Sequence, residues 1–237
     1  MPGLCQTHCL GDTLHIAAAM AHRPWPQAFG IDRRYQLLFP TLPKGAQWDD
    51  RTWVRWQEPW NGPEHGVHVR DTIAQCVHAH GSLAFTLPRP PRQREADYAL
   101  ILPHSSTVCK EWEGWSELQA CLPLSYRRCG SPKREANAPS LEAMASLIAD
   151  AAFCIAIDSG PLHLATAYGV PVLGLYATTS SVTYGPYQQS TVVDCHREAW
   201  NRPVPYHSAR FCSTAMPAIT VDAVRHAIET FFPTLRL

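Results

Sequence analysis

The sequence predicts an α/β fold whose second half is a parallel sheet covered by helices. Two runs, FCIAI (residues 153–157) and VPVLGLYA (residues 170–177), are continuously apolar, as is typical of strands buried on both faces. Segments with helical spacing separate the runs of this kind, so strands alternate with helices. A chain of 237 residues suits one large domain or two small ones.

The first part of the chain has a less regular pattern. GDTLHIAAAMAH predicts a helix that begins after Asp12, and residues 1–9 make a poor strand. YQLLFP (residues 35–40) predicts a short strand, and residues 45–63, with four Trp among charges, predict a long loop. Apolar residues at helical spacing then predict a helix that ends at Gly81.

The second part of the chain has a regular pattern of predicted strands and helices from its start. LPRPPRQREAD (residues 87–97) is rich in Pro and charge and predicts a linker, so we expect domains at 1–92 and 93–237. We expect further strands in YALILPH and LSYRRCG, and a helix around residues 115–120. Ser140 and Thr220 are placed to cap two amphipathic helices.

Composition limits the partners and the compartment. Twenty basic and twenty acidic residues leave no net charge, so we expect no nucleic-acid partner and at most peripheral membrane contact. Nine Cys without a C-x-x-C pair suit a reducing compartment better than a disulfide framework. We see no signal peptide and no membrane-spanning run, and expect a cytoplasmic protein, or one at the inner face of the cytoplasmic membrane.

The polar turn Asp158-Ser159-Gly160 interrupts the longest apolar region. It lies between a buried strand and a helix that Pro161 can open. Ligands of open α/β sheets bind at the carboxyl ends of strands, and a helix amino terminus suits a phosphate. Two plainer interpretations stay open here: Asp158 as an ordinary helix cap, and His163 as a core histidine.

Four segments carry a resemblance to a known family. DSGPLHLATAYGVPVLGLYATTSSVTYGPY (residues 158–187) resembles the nucleotide-sugar signature of the heptosyltransferases, glycosyltransferase family 9. LPHSSTVCKEW (102–112) resembles their strand and phosphate loop, and CLGDTLHIAAAM (9–20) their G-D-x-L-H turn. CSTAMPAITVDAVRHAI (212–228) is similar to their closing segment. The resemblance covers most of the second half and patches of the first.

The resemblance implies a two-domain glycosyltransferase of the GT-B type with Rossmann-like halves, here with a reduced N-terminal, acceptor-side half. It implies an inverting transferase that moves a sugar, which in this family is heptose, from an ADP-activated donor to a bacterial surface glycan or lipid-linked acceptor. No cofactor and no metal are implied. Because the acceptor half is short, the alternative is a non-catalytic or degenerate nucleotide-sugar-binding protein derived from the family.

The same resemblance implies roles for individual residues. Asp12 would be the general base; its alternative is a mere helix cap. Lys110 would hold the donor diphosphate; its alternative is a solvated surface lysine. The remaining donor-binding residues implied are Ser105, Ser106, Thr107, Asp158, Ser159, Gly160 and His163.

One loop-rich segment near the end could suggest a metal, since it holds Cys195, His196, His207 and Cys212. Four-ligand sites usually include two closely spaced cysteines, and this segment has none. We therefore interpret these residues as scattered thiols and surface histidines, and predict no metal site.

Overall fold

The computed structural model divides the chain into two compact units, Met1–Arg89 and Pro90–Leu237. The division falls inside the Pro-rich segment predicted as a linker. The structure describes these residues: 3–22, 29–43, 45–56, 67–76, 84–91, 98–122, 125–131, 135–187, 190–195 and 215–232.

The first unit contains a four-stranded sheet in the order β1-β4-β2-β3. Strands β2 and β3 are parallel, while β4 runs antiparallel to both β1 and β2. The carboxyl ends of β1, β2 and β3 therefore share one edge. The elements are β1 (Gly3–Thr7), α1 (Leu10–Ala21), β2 (Phe29–Asp32), β3 (Ala46–Asp49), β4 (Thr52–Trp56) and α2 (Val69–Cys76).

Residues 35–40 do not form the predicted strand. The chain instead makes a 3-10 helix over Arg33–Leu38, and the side chain of Asp32 caps it by accepting the Arg34 N–H. Tyr35 and Leu38, three residues apart, are buried on one side of it. The apolar run is too short for its pattern to distinguish the two-residue repeat of a strand from the three-residue repeat of a 3-10 helix.

The predicted loop over residues 45–63 is also wrong for its described part, which holds β3 and β4. Residues 1–9, a poor strand by sequence, contain β1, which pairs with β4 along its whole length. Pairing with neighbours and burial decide strand formation more than intrinsic preference does. The helix predicted to end at Gly81 is confirmed as α2, and its predicted end lies outside the described residues.

The second unit is the predicted parallel sheet, in the order β6-β5-β7-β8-β9. Strands β7 and β8 are buried throughout, as their apolar runs predict. Strand β9 was not predicted. The elements are β5 (Ala99–Leu102), α3 (Trp115–Cys121), β6 (Tyr126–Arg128), α4 (Leu141–Asp150), β7 (Phe153–Ile157), α5 (Gly160–Ala167), β8 (Val172–Tyr176), α6 (Ser181–Tyr184), β9 (Ser190–Asp194) and α7 (Val221–Phe231).

Local contacts fix the segments that carry the polar turns of this sheet. Ser140 and Thr220 cap α4 and α7 as predicted, each accepting a backbone N–H three residues on. Gly169 has a φ of +68°, a left-handed conformation that ends α5 and leads directly into β8. Trp112 donates its indole N–H to the carbonyl of Ile219 at 2.9 Å, which ties the loop after β5 to the core. None of the described helices could span a membrane.

Candidate functional site

Three adjacent parallel strands each end in a polar segment at the same edge of the second sheet. Asp158 follows β7 directly, and Thr179 follows β8. Lys110 closes a short 3-10 helix, Val108–Lys110, in the loop after β5. Because parallel strands share one carboxyl edge, these segments converge there.

The carboxylate of Asp158 lies at the centre of the side chains that meet at this edge. Lys110 Nζ lies 2.6 Å from Oδ2, and the Thr179 hydroxyl donates to the same oxygen at 2.7 Å. Nε2 of His163 lies 3.8 Å from Oδ1. The interpretation of Asp158 as a helix cap is therefore wrong: Ser159 occupies the N-cap position of α5.

The environment keeps Asp158 ionised. Burial by itself would raise the pKa of this carboxyl group, but the charges and hydrogen bonds of Lys110 and His163 outweigh burial and hold the pKa well below its ordinary value. A carboxyl group with a lowered pKa loses its proton early, so its contribution is present at neutral pH and disappears only in strong acid. The interpretation of Lys110 as a solvated lysine is also wrong, because its side chain is only 17% exposed.

Ser159 places a buried hydroxyl at the amino end of α5. The residue is 8% exposed, and its Oγ has no hydrogen-bond partner among the described residues. It does not cap the helix through its side chain. A buried hydroxyl without a partner is costly, so an unpaired Oγ beside the positive end of a helix indicates a place for an external acceptor or donor.

The loop after β5 supplies further hydroxyl groups. Ser105 is buried and its Oγ accepts the backbone N–H of Thr107 at 3.3 Å, while Ser106 is exposed. Cys109, also in this loop, is disulfide-bonded, so the expectation of reduced cysteines is wrong at this position. Among the described residues, the cysteines that form no disulfide are Cys9, Cys121, Cys129, Cys154 and Cys195.

Two residues of the candidate site were not predicted from the sequence. Thr179 binds Asp158, and the ring centre of Tyr184 lies 5.9 Å from the Lys110 ammonium, within cation–π range. The signal for Thr179 was present, because four hydroxyl residues, TTSS, follow the apolar run of β8 as Asp158 follows β7. Tyr184 gave no comparable signal.

Asp12 lies in the first unit, while the other candidate residues all lie in the second. Helix α1 begins at Leu10 with Cys9 as N-cap, so Asp12 lies in its first turn, and the alternative interpretation of Asp12 as the helix cap is wrong. The Thr13 N–H bonds to the Cys9 carbonyl and thereby starts the helix earlier. The Asp12 side chain is exposed and accepts the Thr7 hydroxyl at 2.8 Å.

The segment weighed as a metal site is described only at Cys195, whose thiol donates to the carbonyl of Ala218 at 3.4 Å. His196, His207 and Cys212 lie outside the described residues. Within the described ranges, no three His, Cys, Asp or Glu side chains are grouped so that they could hold a metal ion.

Comparison with known proteins finds similarity to heptosyltransferases. The profile of glycosyltransferase family 9 (heptosyltransferase) matches residues 136–205, which include the turn at Asp158. The chain is also 32% identical over 124 residues to the lipopolysaccharide core heptosyltransferase OpsX of Haemophilus influenzae. These matches show a similarity to heptosyltransferases over part of the chain. The match to OpsX covers 42% of this chain and 36% of the relative, so the chain aligns with about a third of that protein.

Solved structures of heptosyltransferases share the fold. The iron-containing dodecameric glycosyltransferase TibC of enterotoxigenic Escherichia coli matches with a TM-score of 0.67 and 17% identity, over 97% of this chain and 75% of TibC. E. coli heptosyltransferase WaaC with ADP matches with a TM-score of 0.51 and 19% identity, over 74% of this chain and 60% of WaaC. The predicted two-domain α/β glycosyltransferase fold is confirmed. In this chain the first sheet is mixed, because β4 is antiparallel to its neighbours.

Proposed function

We propose that this chain is a heptosyltransferase, which transfers heptose from an ADP-activated donor to a glycan acceptor and inverts the anomeric centre. The observation that carries the proposal is the arrangement around Asp158: a half-buried ammonium group at 2.6 Å, and at the next residue, at the start of a helix, a buried hydroxyl with no partner among the described residues. OpsX, by its name, acts on the lipopolysaccharide core, so we propose an acceptor of that class.

The donor-side chemistry follows from the charges. The leaving diphosphate gains negative charge as the sugar bond breaks, and Lys110, the amino end of α5 and the Ser159 hydroxyl stabilise that charge. Ser105, Ser106, Thr107, Gly160 and His163 complete the proposed donor site. Asp158 is itself anionic and therefore repels phosphate; we assign it to hold Lys110 and to accept hydrogen bonds from sugar hydroxyls.

The acceptor-side chemistry requires a base. The acceptor hydroxyl attacks the anomeric carbon, its oxygen forms the new glycosidic bond, and the bond to the diphosphate breaks with both electrons leaving on ADP. We propose that Asp12 takes the hydroxyl proton, a role for which an exposed carboxylate is suited. A single displacement of this kind inverts the configuration.

A second candidate function is donor binding without transfer. The observation that favours it is the composition of the sheet in the first unit. The first unit has four described strands, one of which is antiparallel. A family member with a reduced acceptor half could keep the donor site and lack turnover.

Acceptor-dependent release of ADP from ADP-heptose separates the two candidates. We expect release when a heptose-deficient lipopolysaccharide core is added, and the same rate in excess EDTA, because Lys110 and a helix terminus supply the positive charge. Coupled detection of ADP measures the rate, and mass spectrometry identifies the product. Donor binding without ADP release would support the binding protein instead. Loss of release in EDTA, restored by Mg²⁺, would contradict the metal-free mechanism.

Replacement of Ser159 by Ala tests the unpartnered hydroxyl. We expect ADP affinity to fall by about 0.5–1.5 kcal/mol without loss of folding stability, because the hydroxyl makes no bond among the described residues of the free protein. Ser140→Ala is the matched control. Its hydroxyl caps α4, so the control should lose about 1 kcal/mol of stability and keep its ADP affinity. Calorimetric titration and urea unfolding measure both quantities, and the opposite pattern would remove Ser159 from the site.

A further inference from the structure

The turn between β1 and α1 sets the position of Asp12. The Thr7 hydroxyl donates to Asp12 Oδ2 at 2.8 Å and accepts the Cys9 N–H at 3.0 Å. Thr7 thus ties the carboxylate to the backbone of its own turn. Any movement of this turn would carry the Asp12 carboxylate with it.

Two side chains from the 3-10 helix after β2 hold the middle of this turn. The Tyr35 hydroxyl donates to the carbonyl of His8 at 2.7 Å, and Arg34 Nη2 donates to the same carbonyl at 3.1 Å. One backbone oxygen therefore accepts two side-chain bonds from a segment more than twenty residues later in the chain. These contacts clamp the turn to β2.

Asp32 in turn orients Arg34. Nε of Arg34 lies 3.1 and 3.0 Å from the two carboxylate oxygens, and Nη2 lies 2.7 Å from Oδ2. Asp32 is 1% exposed, whereas the Arg34 side chain is 59% exposed. The pair is charge-neutral, so the exposed guanidinium is a poor anion site. Its fork geometry suits it for holding a fixed direction toward the His8 carbonyl.

A series of hydrogen bonds through two buried hydroxyl groups also holds this turn. The Asp32 N–H donates to the Thr52 hydroxyl at 3.3 Å, and Thr52 Oγ1 lies 2.6 Å from Thr13 Oγ1. Thr13 then donates to the carbonyl of Cys9 at 2.9 Å. Thr13 and Thr52 are fully buried. The end of β2 and the residues that follow it are therefore linked to the β1–α1 turn by two separate routes, one to the His8 carbonyl and one to the Cys9 carbonyl.

We propose that Arg34 and Tyr35 are positioning residues, which hold the β1–α1 turn so that Thr7 presents the Asp12 carboxylate for proton abstraction. The inference rests on the proposed function for the role of Asp12. Small displacements of a reacting group can reduce turnover by up to about a hundredfold. The expected signature is a lower kcat with an unchanged KM for the donor, whose proposed site lies in the second unit.

The primary test is Tyr35→Phe, which removes one hydroxyl and keeps the buried ring. We expect hydrogen exchange at the amides of residues 8–13 to accelerate about tenfold, and kcat to fall about tenfold or more. Tyr98→Phe is the matched control. It removes an equivalent bond, 2.8 Å to the carbonyl of Leu147, and should change neither quantity. Arg34→Lys, at an exposed position, is the second variant and should act in the same direction.

A combination with Asp12→Asn decides whether Tyr35 acts through Asp12. If it does, adding Tyr35→Phe to Asp12→Asn causes no further loss of kcat. Unchanged exchange in Tyr35→Phe and Arg34→Lys overturns the inference whether or not the chain has transferase activity. Faster exchange with unchanged kcat, or an additive loss in the combined variant, overturns it as well. Absence of transfer in the parent protein, or an unchanged kcat in Asp12→Asn, counts against the proposed function. Arg34 and Tyr35 then have no role in catalysis.

Discussion

Replacement of Lys110 by Met should lower the free energy of unfolding by about 3–5 kcal/mol, the range for breaking a buried ion pair from one side. The Asp158 carboxylate is almost fully buried and would lose its cation, keeping the Thr179 hydroxyl at 2.7 Å and His163 at 3.8 Å. Met fills a similar volume, so packing loss is small. Urea unfolding of the ligand-free protein at pH 7 measures the effect.

Two further variants make the stability prediction specific. Lys110→Met combined with Asp158→Asn should recover much of the loss, because no buried charge then lacks a partner. Arg225→Met breaks two exposed pairs, 3.2 Å from Asp222 and 3.8 Å from Glu229, and should cost at most about 1 kcal/mol. If Lys110→Met were no more destabilising than Arg225→Met, the Lys110–Asp158 pair would not be a buried, mutually dependent unit.

Asp12→Asn should reduce transfer at least about 100-fold while leaving stability and ADP affinity nearly unchanged. Asn keeps the size of the side chain and can still accept the Thr7 hydroxyl, but it cannot take a proton. Because Cys9 is the N-cap, the substitution does not disturb helix capping. Initial rates of acceptor-dependent ADP release, with the donor at saturation, measure the effect.

Asp222→Asn is the control for the Asp12 prediction. Asp222 is also an exposed carboxylate in the first turn of a helix, so its loss removes a comparable interaction with the helix dipole. We expect full activity in this control. Retention of most transfer by Asp12→Asn, under conditions where the parent enzyme turns over, would show that another group accepts the proton.

The sequence predicted the structure best where a short local pattern of residues decides it. Continuous apolar runs predicted β7 and β8, and the polar residues after β7 predicted the edge at which the site lies. Ser140 and Thr220 were correct as caps because capping depends on a few neighbouring residues. The motif around Asp158 predicted a polar turn at the carboxyl end of β7, an edge that neighbouring parallel strands share.

What the sequence did not predict depends on contacts distant along the chain. The position of β1 follows from its pairing with β4, about fifty residues later, where β4 itself was predicted as loop. The capping interpretation of Asp158 failed because Lys110, 48 positions away, binds its carboxylate. The hydrogen bonds of Arg34 and Tyr35 to the His8 carbonyl span 26 and 27 positions of the sequence, and no local pattern predicts them.

Calorimetric titration of ADP in excess EDTA tests the central claim most directly, namely that the edge around Asp158 and Lys110 is a metal-independent nucleoside diphosphate site. We expect one ADP to bind per parent chain. We expect at least about tenfold weaker binding, equivalent to 1.4 kcal/mol, in the Lys110→Met/Asp158→Asn variant, which loses the cation without leaving a buried charge unpaired. Absence of ADP binding by the parent, or equal affinity in the folded double variant, would contradict the account.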